Sequence, residues 1–267
     1  MSSSSFETWL EALEARHLAD LTFSEVSRAL RALSSAYVER RARLSAGAAL
    51  SGAGKRAAFA LFYGPLHYLL VQHIVAVLGA ANNRTSTLVD LGCGTGVAGA
   101  ACADGFSVPP DLVGIDRHPW ALAEAAWTYA LFGLKARTRR GDIAAVEWPG
   151  KPATFIAAFT LNELEDAERD AIMQRLLART RRGDSVLVVE PLAGFVAPWW
   201  NRWRDEFERA GGRGGEWRFR TELPAIVAKL DRAAGLSHRE ITGRSLWLGQ
   251  ADRKDRARPQ LILSSGA

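Results

Sequence analysis

The residues best suited to chemistry stand where an apolar run meets a glycine-rich turn. Leu88, Val89 and Leu91 have the character of a buried parallel strand, and Gly92, Gly94, Gly96 and Gly99 follow with small residues among them. Glycine is needed where a backbone turns tightly or a ligand approaches the main chain, and the helix that starts there leaves N–H groups unpaired. Asp90, at the strand end, adds a fixed carboxylate. Asp116 lies 20 residues beyond Gly96, after the next apolar run, Leu112-Val113-Gly114-Ile115. An acid at that place can accept both hydroxyls of an adenosine ribose. The spacing points to a nucleotide-like cofactor. Gly94-x-Gly96-x-x-Gly99 also satisfies the dinucleotide fingerprint, so a nicotinamide or flavin is one reading.

In an open parallel sheet ligands bind outside the carboxyl ends of the strands, so the polar residues after later apolar runs come next. Thr160, Asn162 and Glu163 follow the run 155–159, and Glu190 ends the run 185–189. Asn162 could accept from a substrate N–H, and Glu163 or Glu190 could take a proton. An acid that simply favours a helix N-terminus is the equal alternative for Glu163. Tyr63 and His67, four apart, share one face of an N-terminal helix; His67 is either a core histidine or, if it points into the cleft, a base. Trp199, Trp200 and Trp203 could cage a flat or cationic substrate, although such residues more often pack in cores. Cys93 and Cys102 are the only cysteines and build neither a disulfide scaffold nor a metal site, so no metal is expected.

The wider pattern Asp90-x-Gly92-x-Gly94-x-Gly96 resembles the first motif of class I S-adenosylmethionine (SAM) methyltransferases. That resemblance favours SAM over a dinucleotide, with S-adenosylhomocysteine as product, and gives an acid beside the turn an ammonium to face. It implies that Asp142, after Gly141, hydrogen-bonds the adenine amino group and that Ile143 flanks the ring. Arg117 and Thr160 then join the cofactor set. Asn162-Glu163-Leu164, with Glu190-Pro191-x-x-Gly194-Phe195 and a following arginine, resembles the Rsm-type methyltransferase-like family over residues 25–200. That family comprises mitochondrial small-subunit ribosome-assembly proteins and bacterial relatives. The cysteine set with which its eukaryotic members bind an iron–sulfur cluster is missing here, so only the bacterial relatives are a guide.

The elements that must position these residues follow from periodicity. Residues 6–80 carry apolar side chains at three- and four-residue steps and predict helices, with Gly64-Pro65 kinking or dividing the segment 57–78. From Leu88 strands alternate with helices. The expected fold is α/β, a Rossmann-like doubly wound seven-stranded sheet of the class I methyltransferase type with a helical N-terminal cap. Residues 1–80 form the cap and 81–267 the SAM-binding domain. Residues 192–222 read as an aromatic helix and flexible loop forming a lid, and 241–248 and 259–263 as the last two strands.

Composition sets the outer bounds. A chain of 267 residues, 48% of them hydrophobic, with 24 glycines suits a packed α/β protein. No apolar run approaches the ~20 residues that span a bilayer, and the N-terminus lacks a signal-peptide pattern, so a cytoplasmic protein without membrane contact is expected. The net charge is +5, with arginine clusters at 137–140, 179–182 and 253–258. Solvated helix ends explain these better than nucleic acid does, but RNA stays open. The leading expectation is methyl transfer to a nitrogen, oxygen or carbon of a small aromatic substrate between the cap and Trp199–Trp203. An rRNA methyltransferase or a non-catalytic assembly factor is the alternative, and the oligomeric state is undetermined.

Overall fold

The computed structural model describes residues 4–39, 50–82, 85–150, 152–192 and 198–249. Its centre is a seven-stranded sheet in the order β3-β2-β1-β4-β5-β7-β6. Strands β1 (Thr87–Leu91), β2 (Asp111–Asp116), β3 (Ala136–Arg140), β4 (Thr154–Ala158) and β5 (Ser185–Glu190) run parallel. β7 (Ile241–Leu248) is antiparallel to both β5 and β6 (Arg213–Phe219). The order reverses between β1 and β4, so a crevice opens above their carboxyl ends. β4 and β5 are buried throughout, as their unbroken apolar runs require, while β3 is an arginine-rich, mostly exposed edge strand.

Alternation along each strand divides the core in two. Leu88, Leu112, Ile156 and Leu187 face one hydrophobic cluster; Val89, Val113, Phe155 and Val186 face the other. The first cluster takes in α1 (Ser5–His17), α2 (Phe23–Glu39), α3 (Ala53–Ala58), α4 (Gly64–Leu78), α5 (Val97–Asp104), α6 (Pro119–Leu131) and α9 (Ala225–Ala233). The second is closed by α7 (Asp166–Thr180) and α8 (Trp200–Arg209). The N-terminal helices therefore share a core with the sheet, and the expected boundary at residue 80 runs through one hydrophobic cluster.

Local chemistry explains the helix ends. Ser4 and Glu7 form a reciprocal capping box at the start of α1. Gly64-Pro65 does not break the long apolar segment: a π-turn, Phe59–Tyr63, runs directly into α4 with helical backbone at Tyr63 and Gly64. The whole run Ala53–Leu78 spans 26 residues and is long and apolar enough to cross a membrane, contrary to the sequence expectation. More than half of its most apolar window is buried in this fold, where it serves as the helix crossing the sheet.

Residues 198–222 do not form an insertion over the cleft. α8 packs on the second core, and β6, which takes in Gly214 and Gly215 of the run expected to be a flexible loop, completes the sheet against β7. The glycines allow close approach: a Cβ on Gly212 would meet the Trp247 carbonyl at 2.5 Å. The strand expected at 259–263 lies outside the described residues.

Candidate active site at the carboxyl edge

The glycine loop is built by packing as much as by turning. Gly92, Gly94 and Gly96 all have positive φ (66, 52 and 81°). A Cβ on Gly92 would strike Thr160, one on Gly96 would strike Tyr129 and the Ala125 backbone, and one on Gly99 would lie 2.5 Å from Asp90 Oδ2. A Cβ on Gly94 would meet nothing within 4 Å. Only at Gly94 does the loop present its backbone to open space.

Asp90 does not face that space. It is 1% exposed, and its Oδ2 accepts from Gly99 N (2.9 Å) and from the Tyr129 hydroxyl (3.1 Å). The acid thus ties β1 to the start of α5, and burial pushes its carboxyl up to about 7. This corrects the expectation of a carboxylate free for an ammonium. Asp90 Oδ1 and Thr95 Oγ1 are buried without a partner among the described residues. Thr160 is likewise structural: its hydroxyl reaches the Leu91, Gly92 and Ala158 carbonyls, pinning the end of β4 to the loop.

Asp116 stands where the sequence placed it. Its Oδ2 accepts from Gly94 N (3.0 Å) and its Oδ1 from His118 N (2.7 Å), leaving a lone pair on each oxygen. His118 then caps α6 through Nδ1. Arg117 spans from this loop to Asp142 (2.7 Å) and holds that carboxyl below the usual range; Asp142 also accepts from Ala144 N. Ile143 is buried in the second core, so it cannot offer a free face to an adenine ring without a shift.

Beyond β4 the side chains divide into supports and open groups. Glu190 is fully buried; its Oε1 accepts from Leu161 N (2.8 Å) and its Oε2 from the Asn162 amide. The other end of Asn162 accepts from Trp199 Nε1 (3.2 Å). Asn162 keeps one amide N–H and one oxygen lone pair, whereas the enclosure of Glu190 corrects its expected contact with a substrate. Burial pushes the Glu190 carboxyl up to about 8, with Glu163 adding to the shift. Glu163 is exposed at the lip of the cleft and forms no ion pair there among the described residues. The dense protein wall beside it, and then the charge of Asp116, raise its carboxyl to about 7.

The tryptophan cage is also corrected. Trp199, Trp200 and Trp203 are 8, 4 and 1% exposed and belong to the second core. Trp203 donates to Asp170, and Arg244 lies over Trp200. The accessible rings lie across the cleft instead. His67 stacks on Phe159 (centroids 3.7 Å apart, 14° between planes), Tyr63 and Phe59 flank His67, and all four are only partly buried. Phe159 has φ +57°, the sole non-glycine in the left-handed region among the described residues. Nothing in the apolar run 155–159 announced it. His67 makes no hydrogen bond among the described residues, and burial lowers its pKa to about 3. The Tyr63 hydroxyl lies 3.3 Å from Ser34 Oγ.

Comparison with known proteins fits this edge. Residues 88–183, from the glycine-loop strand to just beyond α7, match the family model described as a methyltransferase domain. No curated protein sequence matches the chain. Among solved structures, mitomycin 7-O-methyltransferase MmcR is similar at 15% identity and a TM-score of 0.53, over 92% of this chain and 73% of that one. Magnesium protoporphyrin IX methyltransferase (ChlM) from Synechocystis PCC 6803, with S-adenosylhomocysteine bound, is similar at 16% identity and a TM-score of 0.46, over 68% of this chain and 82% of that one. The fold is that of the class I methyltransferases, and the specific likeness to the Rsm-type family finds no support. The open backbone at Gly94 and the methyltransferase-domain model matched across residues 88–183 support SAM-dependent methyl transfer at this carboxyl edge.

Proposed function

We propose that the chain methylates a nitrogen or oxygen of a small, flat aromatic acceptor seated on the ledge of Phe59, Tyr63, His67 and Phe159. The observation that carries this reading is the ledge itself: partly buried rings beside the glycine loop, with a backbone conformation at Phe159 that a bulky residue rarely adopts. The cofactor supplies an electrophilic methyl on a sulfonium, and the C–S electrons return to sulfur as the acceptor lone pair forms the new bond. Asp116 would accept the ribose hydroxyls on its remaining lone pairs and Asp142 would accept from the adenine amino group, with the open Gly94 backbone beside them. Glu163, the one strand-end acid of the expected set left without a structural partner, takes the acceptor's proton. Mitomycin, Mg-protoporphyrin and a plantazolicin analogue are named with similar structures, which is compatible with a ringed small molecule.

A second reading, an RNA acceptor or a ribosome-assembly role, is favoured by one feature: Arg137, Arg139 and Arg140 on the exposed edge strand β3, beside the cofactor end of the cleft. Calorimetry with SAM and S-adenosylhomocysteine, followed by labelled-methyl assays on aromatic amines and phenols and on RNA, separates the two. Micromolar cofactor binding and transfer to ring compounds are expected, and Asp116→Ala should weaken cofactor binding by roughly 1.5–3 kcal/mol. Absence of heat with either cofactor on folded protein overturns the enzyme; transfer to RNA alone, with a steep salt dependence, overturns the small acceptor.

A further inference from the structure

A histidine–aspartate pair outside the site described so far stands on the same edge of the sheet. β7 runs antiparallel to β5, with Arg244 opposite Glu190, so the loop that enters β7 lies at the carboxyl ends of the parallel strands. On that loop His238 pairs through Nδ1 with Asp231 Oδ1, while Asp231 Oδ2 accepts from the His238 backbone N–H (3.1 Å). Asp231, on α9, is buried, and the loop is already closed by Leu236 N donating to the Asp231 carbonyl (2.9 Å). The ring pairing is therefore additional to what the turn needs. A carboxylate on Nδ1–H fixes the tautomer, so Nε2 carries the lone pair. Nε2 has no partner among the described residues, and the side chain is 37% exposed.

The ring is also joined to the ledge. His238 stands edge-on to Phe62 (5.2 Å), Phe62 edge-on to Tyr63 (5.2 Å), and Tyr63 beside His67 on Phe159. An unbroken chain of ring contacts leads from the end of β4 to His238. We propose that His238, held by Asp231, is the second anchor of the acceptor, accepting a hydrogen bond from a hydroxyl or N–H remote from the methylated atom. The acceptor class this selects is a flat ring system with two polar ends, one at the methyl donor and a hydrogen-bond donor at His238. A carboxylate at the remote end is disfavoured, because it meets a lone pair backed by Asp231.

The inference rests on the ledge as the acceptor's seat, and two probes separate their failures. Protein saturated with S-adenosylhomocysteine is titrated with 2-naphthol and with 2,6-dihydroxynaphthalene, which share a ring system and differ by the remote hydroxyl. The diol should bind about tenfold tighter, the effect of one hydrogen bond to a charge-backed acceptor. It should also shift the His238 Nε2 resonance in ¹⁵N-histidine spectra. His238→Phe should bring the diol down to the affinity of the mono-ol, and Asp231→Asn should reduce the preference, with S-adenosylhomocysteine affinity of both variants reporting that the fold is intact. Equal binding of the two compounds by the unaltered protein, or a preference that survives His238→Phe, overturns the anchor and leaves the ledge standing. If neither compound binds while the cofactor does, the ledge fails and the anchor with it.

Discussion

Glu163 and its neighbours show how differently residues of one type are used along a single edge. Asp90 and Glu190 are buried and spent on backbone and side-chain donors; Asp116 is half spent; Glu163 is open. A carboxyl raised to about 7 is protonated below that pH and cannot accept a proton there. The transfer rate should therefore rise about tenfold per pH unit up to near 7 and level off above it. Glu163→Gln should remove that limb and lower the plateau by roughly 10²- to 10⁴-fold, with little change in cofactor affinity. A pH profile that keeps its acid limb in the variant would assign the proton elsewhere. Asp116 and the glycine loop were legible from spacing because a positive φ and a strand-end acid each restrict residue type. The partners of Asp90, Asn162 and Glu190 were not, because Tyr129 and Trp199 lie 39 and 37 residues away from what they bond. Sequence names a polar residue at a strand end without saying whether the protein or a ligand satisfies it.

At the scale of elements, strands β1, β2, β4 and β5 followed from apolar runs, whereas β3 is an arginine-rich edge strand without one. The segment 192–222 was misread because its cues pointed the wrong way. The run 211–215 looks like a loop, yet at a sheet edge Gly212 lies against the Trp247 carbonyl and Gly214 against Arg204. Trp199, Trp200 and Trp203 near charged residues look like a ligand cage, yet α8 turns Trp200, Trp203 and Phe207 onto one buried face. The spacing of that face, at three- and four-residue steps, was the signal that could have identified it. Trp203 provides the test. Trp203→Ala should cost about 3–5 kcal/mol of stability through lost burial and a residual cavity, measured by urea unfolding. The acceptor KM should stay unchanged at temperatures where the variant is folded. A raised KM with unaltered stability would restore the substrate role. The π-turn at Phe59–Tyr63 belongs to the same scale: it stands where the long apolar helix reaches the cleft, and two of its rings, Phe59 and Tyr63, line the ledge.

For the whole molecule the question is whether the N-terminal helices are a cap that opens or a layer of the fold. Trp9 is 1% exposed, donates to Thr128 on α6 (3.3 Å) and packs among Phe6, Tyr68 and Phe132. Arg16 and His17 converge on the buried Glu124 of α6, and Arg16 also covers the face of Trp127. Val26, Leu30 and Leu33 carry α2 into the same cluster, which continues through α4 to Leu187 and Trp247 of the sheet. Burying each large side chain contributes about 1.5–3 kcal/mol, so Trp9, Leu13, Val26, Leu30 and Leu33 together rival the 5–15 kcal/mol that separates a typical native state from the unfolded chain. Deleting residues 1–49 should therefore abolish the cooperative unfolding transition and S-adenosylhomocysteine binding together. The full chain should unfold in one step, with tryptophan fluorescence and circular dichroism coinciding. A truncated chain that still melts cooperatively and binds the cofactor would make the helices a separable cap. The acceptor ledge would then have one wall free to move, since Phe59, Tyr63 and His67 stay on the retained side of the cut and the Ser34 hydroxyl beside Tyr63 does not.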